Sequence, residues 1–191
     1  MKISKLLALG TAALAASLVT TAALADQKLV PAQSDIAFAV KQMGVPVEGR
    51  FKKFDAQIDF DPKKPEASKI GFTIDTGSAT LGIPENDAEL PKTPWFNVPK
   101  FPQATFQSSA VKALGAGKYD VSGKLTIKGS VRDVVVPVTL VQSGASTVAS
   151  GAFGIKRLAF KIGEGDWADT SLVADDVQVK FKLTLTGVGK L

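Results

Sequence analysis

The residues best able to do chemistry set the first limit, because this chain of 191 residues contains no His and no Cys. That excludes a Ser-His-Asp triad, a thiol nucleophile, a disulfide, a His/Cys zinc site and an imidazole haem ligand. It also excludes an anchor lipid attached through Cys. The remaining candidates are weak. Ser109-Ala110-Val111-Lys112 matches the S-x-x-K of penicillin-recognising serine enzymes. That pair needs a helix to share one face. Here the stretch reads as a strand, which sends Ser109 and Lys112 to opposite faces, and no S-D-N or K-T-G accompanies it. Glu85, Asp87 and Glu89 lack the turn Gly and the bidentate acid of a calcium loop. Asp175-Asp176 reads as a charge pair at a strand start. The basic clusters Arg50-Lys52-Lys53 and Lys156-Arg157-Lys161 read as solvated charge, or as a rim of cations at a cavity mouth that meets an anionic head group or membrane lipid. Neither has the interleaved exposed aromatics of a nucleic-acid site. No composed catalytic site emerges, and the expectation is that the protein is not an enzyme.

The elements that would position these residues follow a period of two. Ile36, Phe38 and Val40 alternate with smaller or polar residues, and Phe54, Ala56, Ile58 and Phe60 alternate with Asp55, Gln57, Asp59 and Asp61. Ile70, Phe72 and Ile74 repeat the pattern, as do Tyr119, Val121, Gly123, Leu125 and Ile127, and Val177, Val179, Phe181, Leu183 and Leu185. Such alternation marks strands with one dry face, as in antiparallel sheets. Turn residues at Asp61–Pro65, Gly115–Gly117, Lys128–Ser130 and Ser143–Ser146 separate them. The pattern predicts strands near 35–41, 46–60, 68–80, 103–113, 118–128, 131–142, 147–162 and 171–187. Short connections favour closure of these eight strands into an up-and-down barrel over a two-sheet sandwich. Leu81 to Pro102 breaks the rhythm with Pro84, Pro91, Pro94, Pro99 and Pro102. So many prolines exclude a regular strand or long helix. A loop of this length reads as a lid with a short helical turn at Asp87–Leu90 or Pro94–Val98.

Met1–Ala25 reads as an export signal. Lys2 and Lys5 are its positive start, Leu6–Val19 its apolar stretch and Ala23-Leu24-Ala25 its small-x-small cleavage site. Residues 26–191 then form one domain. Loss of Lys2 and Lys5 lowers the net charge from +5 to +3. No apolar run of about 18 residues follows Ala25, so no transmembrane segment is expected in the mature chain. Eleven Phe and two Trp against one Tyr imply a greasy interior. Small inward residues such as Ala56, Gly123 and Gly151 leave room beside the large ones. An eight-stranded barrel either fills with its own side chains or holds one ligand, and spacing alone leaves both open.

Taken in order, the motifs resemble the YceI-like family, the lipocalin-like polyisoprenoid- and lipid-binding proteins of bacteria. Ser34-Asp35-Ile36-Ala37-Phe38 with Gly44, Val47, Gly49 and Phe51 is similar to its opening strand pair. Phe60-Asp61-Pro62, Pro65 and Ser68 resemble its F-D-P-x-x-P turn. Trp95-Phe96-Asn97, Phe101-Pro102 and Thr105-Phe106 resemble its next segment. Tyr119 to Gly129 is the most specific stretch, continued by Val131-Arg132, Val138-Thr139-Leu140 and Val177-Gln178-Val179. The resemblance runs from about Gln27 to Leu185. Lys41 to Phe51 and Gly165 to Thr170 are similar to the branch found beside cytochrome b561-type membrane proteins. Gln33 and Lys41 stand where the family often carries His, and Asp55 stands where it has Gly.

The resemblance implies an all-β, eight-stranded antiparallel lipocalin-like barrel with the Pro-rich insertion, around an apolar tunnel. It implies a periplasmic carrier for a long isoprenoid lipid, polyprenyl or quinone-type, or for a fatty acyl chain, with no covalent cofactor. The alternative is a filled barrel that docks a membrane cytochrome b561-type partner. The expected lining or lid residues are Phe38, Val40, Phe51, Phe54, Ile58, Phe60, Phe72, Ile74, Trp95, Phe96, Phe106, Leu125, Phe153, Trp167 and Phe181. Lys41, Gln42 and Arg50 are the head-group candidates, and no metal site is expected. The chemistry would be sequestration, since each CH₂ exposed to water costs about 0.8 kcal/mol.

Overall fold

The computed structural model describes residues 26–191, so the expected leader at residues 1–25 lies outside the described part. Its strands are β1 Lys28–Leu29, β2 Asp35–Gln42, β3 Val45–Phe51, β4 Phe54–Asp59, β5 Lys69–Asp75, β6 Ala79–Thr80, β7 Gln103–Gly115, β8 Lys118–Ile127, β9 Ser130–Ser143, β10 Ser146–Lys156 and β11 Val173–Thr186. All belong to one antiparallel sheet, ordered β4-β5-β7-β8-β9-β10-β11-β2-β3-β6, with β1 pairing the end of β11. Alternation is regular where the sequence is most regular. Along β8, Tyr119, Val121, Gly123, Leu125 and Ile127 are buried while their neighbours are more exposed.

The closed eight-stranded barrel is overturned. The eleven strands form an open half-barrel that curls through 296° and leaves its edges 10 Å apart. The stretch expected as one strand over 46–60 is two, split at Lys52-Lys53, and the halves go to opposite edges of the sheet. The stretch 68–80 is likewise interrupted by a 3₁₀ turn at Thr76–Ser78. Strand β10 ends at Lys156, where a 3₁₀ turn of Arg157–Phe160 replaces the expected continuation to 162. Strand β1 was not expected.

The local cause of the opening is the Lys52-Lys53 crossing. There the backbone bonds to the Thr76–Ser78 turn instead of to a strand: Lys52 N donates to Ser78 O at 3.1 Å, Lys53 N to Ser78 Oγ at 3.0 Å, and Asp75 N to Lys53 O at 3.0 Å. At the other end of the seam a side chain does the work of a strand. Gln27 Nε2 donates to Phe60 O at 2.7 Å, and Phe60 N donates to Gln27 Oε1 at 3.1 Å. The free edges carry Pro46 on β3 and Asp55 and Asp59 on β4, which discourages pairing with another chain.

Two-residue turns close the hairpins at Met43-Gly44, Ala116-Gly117 and Lys128-Gly129, all with positive φ. That geometry matches the twist of the strands it joins. The lid holds the short helix α1, Pro84–Asp87, one turn before Asp87–Leu90, one of the two positions expected for it; the other, Pro94–Val98, is not helical. Thr80 Oγ1 and Leu81 N both donate to the Asp87 carboxylate at 2.5 Å, which ties that helix to the end of β6.

Candidate functional site

Inside the curl lies a cavity of about 140 Å³ whose walls present no polar atom. Every strand from β4 to β11 except the short β6 contributes to it. Ile58 and Phe60 come from β4 and its exit, Ile70, Phe72 and Ile74 from β5, and Phe106 and Val111 from β7. Tyr119, Val121 and Leu125 of β8 lie beside Val136, Val138 and Leu140 of the paired strand β9 on the same wall. Ala149, Phe153, Val179, Phe181, Leu183 and Leu185 complete the wall, with Ile36 from β2 and Val188 from the chain end. The cavity is close in size to an engineered apolar cavity of about 150 Å³ that stays dry and takes up benzene.

Glycines shape this wall. A Cβ at Gly123 would strike the Phe106 ring and the Gln107 carbonyl, and one at Gly151 would strike the Phe181 ring and the Pro137 carbonyl. Phe38 lies over Gly49 in the same way. The space that the glycines were expected to open as a channel is therefore taken by phenyl rings. Because those rings lie against the wall, the centre of the curl stays free.

The structure sorts the expected lining residues into two layers. Ile58, Phe60, Phe72, Ile74, Phe106, Leu125, Phe153 and Phe181 border the cavity. Phe96, Phe51, Trp95 and part of the lid form an apolar cluster above it with Leu90, Phe160 and Ile162. Phe51 bridges Phe38 and Phe96 at ring separations of 5.4 and 5.8 Å, and Trp95 packs on Trp167 at 5.4 Å. Val40 lies on the face of β2 that carries Ile36 and Phe38, paired with Val47 and Val177. Phe54 packs with Leu183 and Ile36 beside the seam. Among the head-group candidates, Gln42 shares the Ile36 face of β2, while Lys41 and Arg50 stand on the other face and are exposed. Arg50 lies 4.0 Å from Asp35, an exposed pair of little energetic weight.

Sequence reasoning named only part of the wall. Val111, Val136, Val138 and Leu140 were visible as apolar strand residues, yet nothing in their spacing singled them out. Val188 follows Gly187, whose φ of +77° turns the chain back under the sheet.

Two buried cations hold the cap, and neither was expected to be buried. Arg157 is 2% exposed. It donates to four carbonyls: Ala174 at 3.0 Å, Ile162 at 2.9 Å, Gly163 at 3.1 Å and Val173 at 2.6 Å. Burial pulls its pKa down, partly offset by Asp175. Lys128 sits on the β8–β9 turn. Its ammonium donates to Thr93 O at 2.7 Å, Lys161 O at 2.7 Å and the Glu164 carboxylate at 2.8 Å. It thereby bolts the lid to the segment between β10 and β11. The same ammonium holds the Glu164 carboxyl below its ordinary range. Lys156, expected in the same basic cluster, instead pairs with Asp176 at 2.7 Å in the open.

Among the described residues no group of His, Cys, Asp and Glu has the geometry of a metal site, and no helix is long and apolar enough to cross a membrane. Residues 27–185 match the YceI-like domain. Protein YceI of Salmonella arizonae is 35% identical over 127 residues, 66% of this chain and 63% of that protein, so the chain spans less than two thirds of that relative's length. The crystal structure of Burkholderia cenocepacia BcnA superposes with a TM-score of 0.79 at 47% identity, covering 82% of this chain and 98% of that one. A polyisoprenoid binding domain from Saccharophagus degradans, implicated in plant cell wall breakdown, shares the fold with a TM-score of 0.69 at 18% identity, covering 84% of this chain and 98% of that one. On the match over residues 27–185, the chain belongs to the YceI-like family of non-enzymatic lipid-binding and transport proteins, which are typically periplasmic or secreted.

Proposed function

We propose that this chain carries the hydrocarbon tail of a long isoprenoid lipid, polyprenyl or quinone-type, through the periplasm after cleavage behind Ala25. The observation that carries the reading is the wall without a polar atom. Nothing there can orient a reaction, and everything there favours an aliphatic chain by excluding water. The polyisoprenoid binding named for the Saccharophagus domain agrees with this choice over a fatty acyl chain. The lining residues of the lower layer would touch the tail, and Phe38, Phe51, Phe96, Trp95 and Trp167 would close over it.

The opening of the sheet suits this role. A cavity of about 140 Å³ is smaller than a long prenyl tail requires. A closed barrel has a radius fixed by its strand number and stagger. Here the edges stand 10 Å apart, so the sheet can widen without breaking a ladder bond. The seam is the part of the wall that yields. A quinone head and a cytochrome b561-type partner belong to the same proposal and follow only from the branch resemblance of Lys41–Phe51 and Gly165–Thr170.

The test is organic extraction of the purified protein followed by mass spectrometry, with uptake of added ubiquinone and polyprenol measured in parallel. A co-purified prenyl lipid, or stoichiometric uptake of either compound, is expected. A protein that arrives empty and takes up neither carries no prenyl tail, and the carrier reading fails.

A further inference from the structure

Within the cap, buried polar atoms are matched with care. Lys128, Arg157, Thr76, Ser78 and Thr80 are buried, and each of their side chains has a hydrogen-bond partner. Trp95 Nε1 is the exception among the described residues: it is sealed from solvent and meets no acceptor. Carbonyls of the neighbouring lid residues are committed to backbone donors. Lys92 O accepts from Trp95 N and Asn97 N, Leu90 O from Phe96 N, and Pro94 O from Gly163 N and Glu164 N. An indole N–H is a donor only, and a buried donor without an acceptor is costly enough to need an explanation.

Its position supplies one. Trp95 packs in the apolar cluster above the cavity, and that cluster includes Ile74, Leu125, Phe106 and Phe153, which also border the cavity. Trp95 itself does not border the cavity, and these four residues stand between them, so a bound chain that extends past them enters the layer that holds the orphan donor. The cavity wall offers a ligand no polar contact at all. The buried cations of the cap are already engaged, Lys128 by three carbonyls and a carboxylate, Arg157 by four carbonyls. A charged head group would find no free counter-ion there.

Resting on the carrier reading, we infer that Trp95 Nε1–H is the head-group contact of this protein, donating to an uncharged acceptor oxygen, a hydroxyl or a carbonyl, at the end of the bound hydrocarbon chain. The tilted contact with Trp167, at 48° between ring planes, holds the indole in place. The site thereby distinguishes a lipid that ends in oxygen from a plain hydrocarbon of the same length.

The test compares farnesol with farnesene, which share a carbon skeleton; farnesene has a terminal diene in place of the allylic hydroxyl. Binding of each is measured to the wild-type chain and to Trp95→Phe, which keeps an aromatic ring in place but removes the N–H together with part of the indole, a packing loss that farnesene reports by itself. Farnesol should weaken about tenfold in the variant, and farnesene by less than about twofold. Equal change for both probes means that Trp95 only packs, and overturns the inference. So does no change for either. If the variant does not fold, the two indole N–H resonances of the wild-type protein give the answer, assigned with Trp167→Phe. The Trp95 resonance should move downfield with farnesol and not with farnesene; a response that is the same for both overturns the inference. A wild-type protein that binds neither probe defeats the carrier reading itself, and this inference with it.

Discussion

Around the cavity no polar atom faces the void, whereas the cap above it buries an arginine and a lysine that together make eight hydrogen bonds, seven of them to carbonyls. The two regions differ in what they tolerate. Apolar contact is non-directional, so the wall can shift and still exclude water. The cap is directional, and moving it breaks bonds that burial makes expensive to lose. Adaptation to a ligand therefore belongs to the wall and its open seam, and alignment of the ligand belongs to the cap.

The largest expected effect is in the cap. Arg157→Met keeps the aliphatic stem and leaves four carbonyls without their donor, so urea unfolding should show a loss of about 3–5 kcal/mol. A loss under about 1 kcal/mol would mean that the cap repacks freely and that the contrast between the regions is false. A wall substitution should cost less and act on ligand uptake. At Gly151 a Cβ meets the Pro137 carbonyl and the Phe181 ring, whereas at Gly154 on the same strand it meets nothing within 4 Å. Gly151→Ala should lose about 1–3 kcal/mol and bind less lipid as Phe181 is pushed inward. Gly154→Ala should change stability by less than about 0.5 kcal/mol and leave binding intact. Equal behaviour of the two would remove the role assigned to the glycine–phenylalanine pairs.

The smallest effect is that of pH. The Lys128 ammonium holds Glu164 below its ordinary value of 4.5, and the Thr80 hydroxyl does the same for Asp87 from 3.8. Both carboxyls bind fewer protons folded than unfolded. Their contribution is complete above the unfolded values and is lost as pH falls through the lower folded ones. Protection from hydrogen exchange in the lid, residues 81–102, relative to the intrinsic rate at each pH, should therefore fall below about pH 4 before protection in β8 does. Simultaneous loss in both would show that the lid is no separate unit.

Much of the wall was legible because alternation is a direct record of which face is dry. Tyr119, Val121 and Leu125, or Phe181, Leu183 and Leu185, need no further context. The opening of the sheet was not legible. Phe51-Lys52-Lys53-Phe54 continues a strand-like pattern, and only the capture of Lys52 and Lys53 by Ser78, twenty-five residues away for Lys53, reveals the break. Gln27 replaces a strand with one side chain, which leaves no pattern at all. Arg157 reads as surface because charge is usually solvated. Its burial depends on carbonyls of residues 162, 163, 173 and 174, which the chain assembles only once folded. The glycines were read correctly as inward and small, but their partner rings come from neighbouring strands and were assigned only by register.

The central claim is that the curl shelters hydrocarbon, and a series of prenyl alcohols of rising length tests it most directly. With each isoprene unit added, affinity for the purified protein should climb steeply, since every buried CH₂ is worth about 0.8 kcal/mol, until the widened cavity is full and the curve levels. An affinity that does not change with chain length would place the hydrocarbon in water and contradict the account.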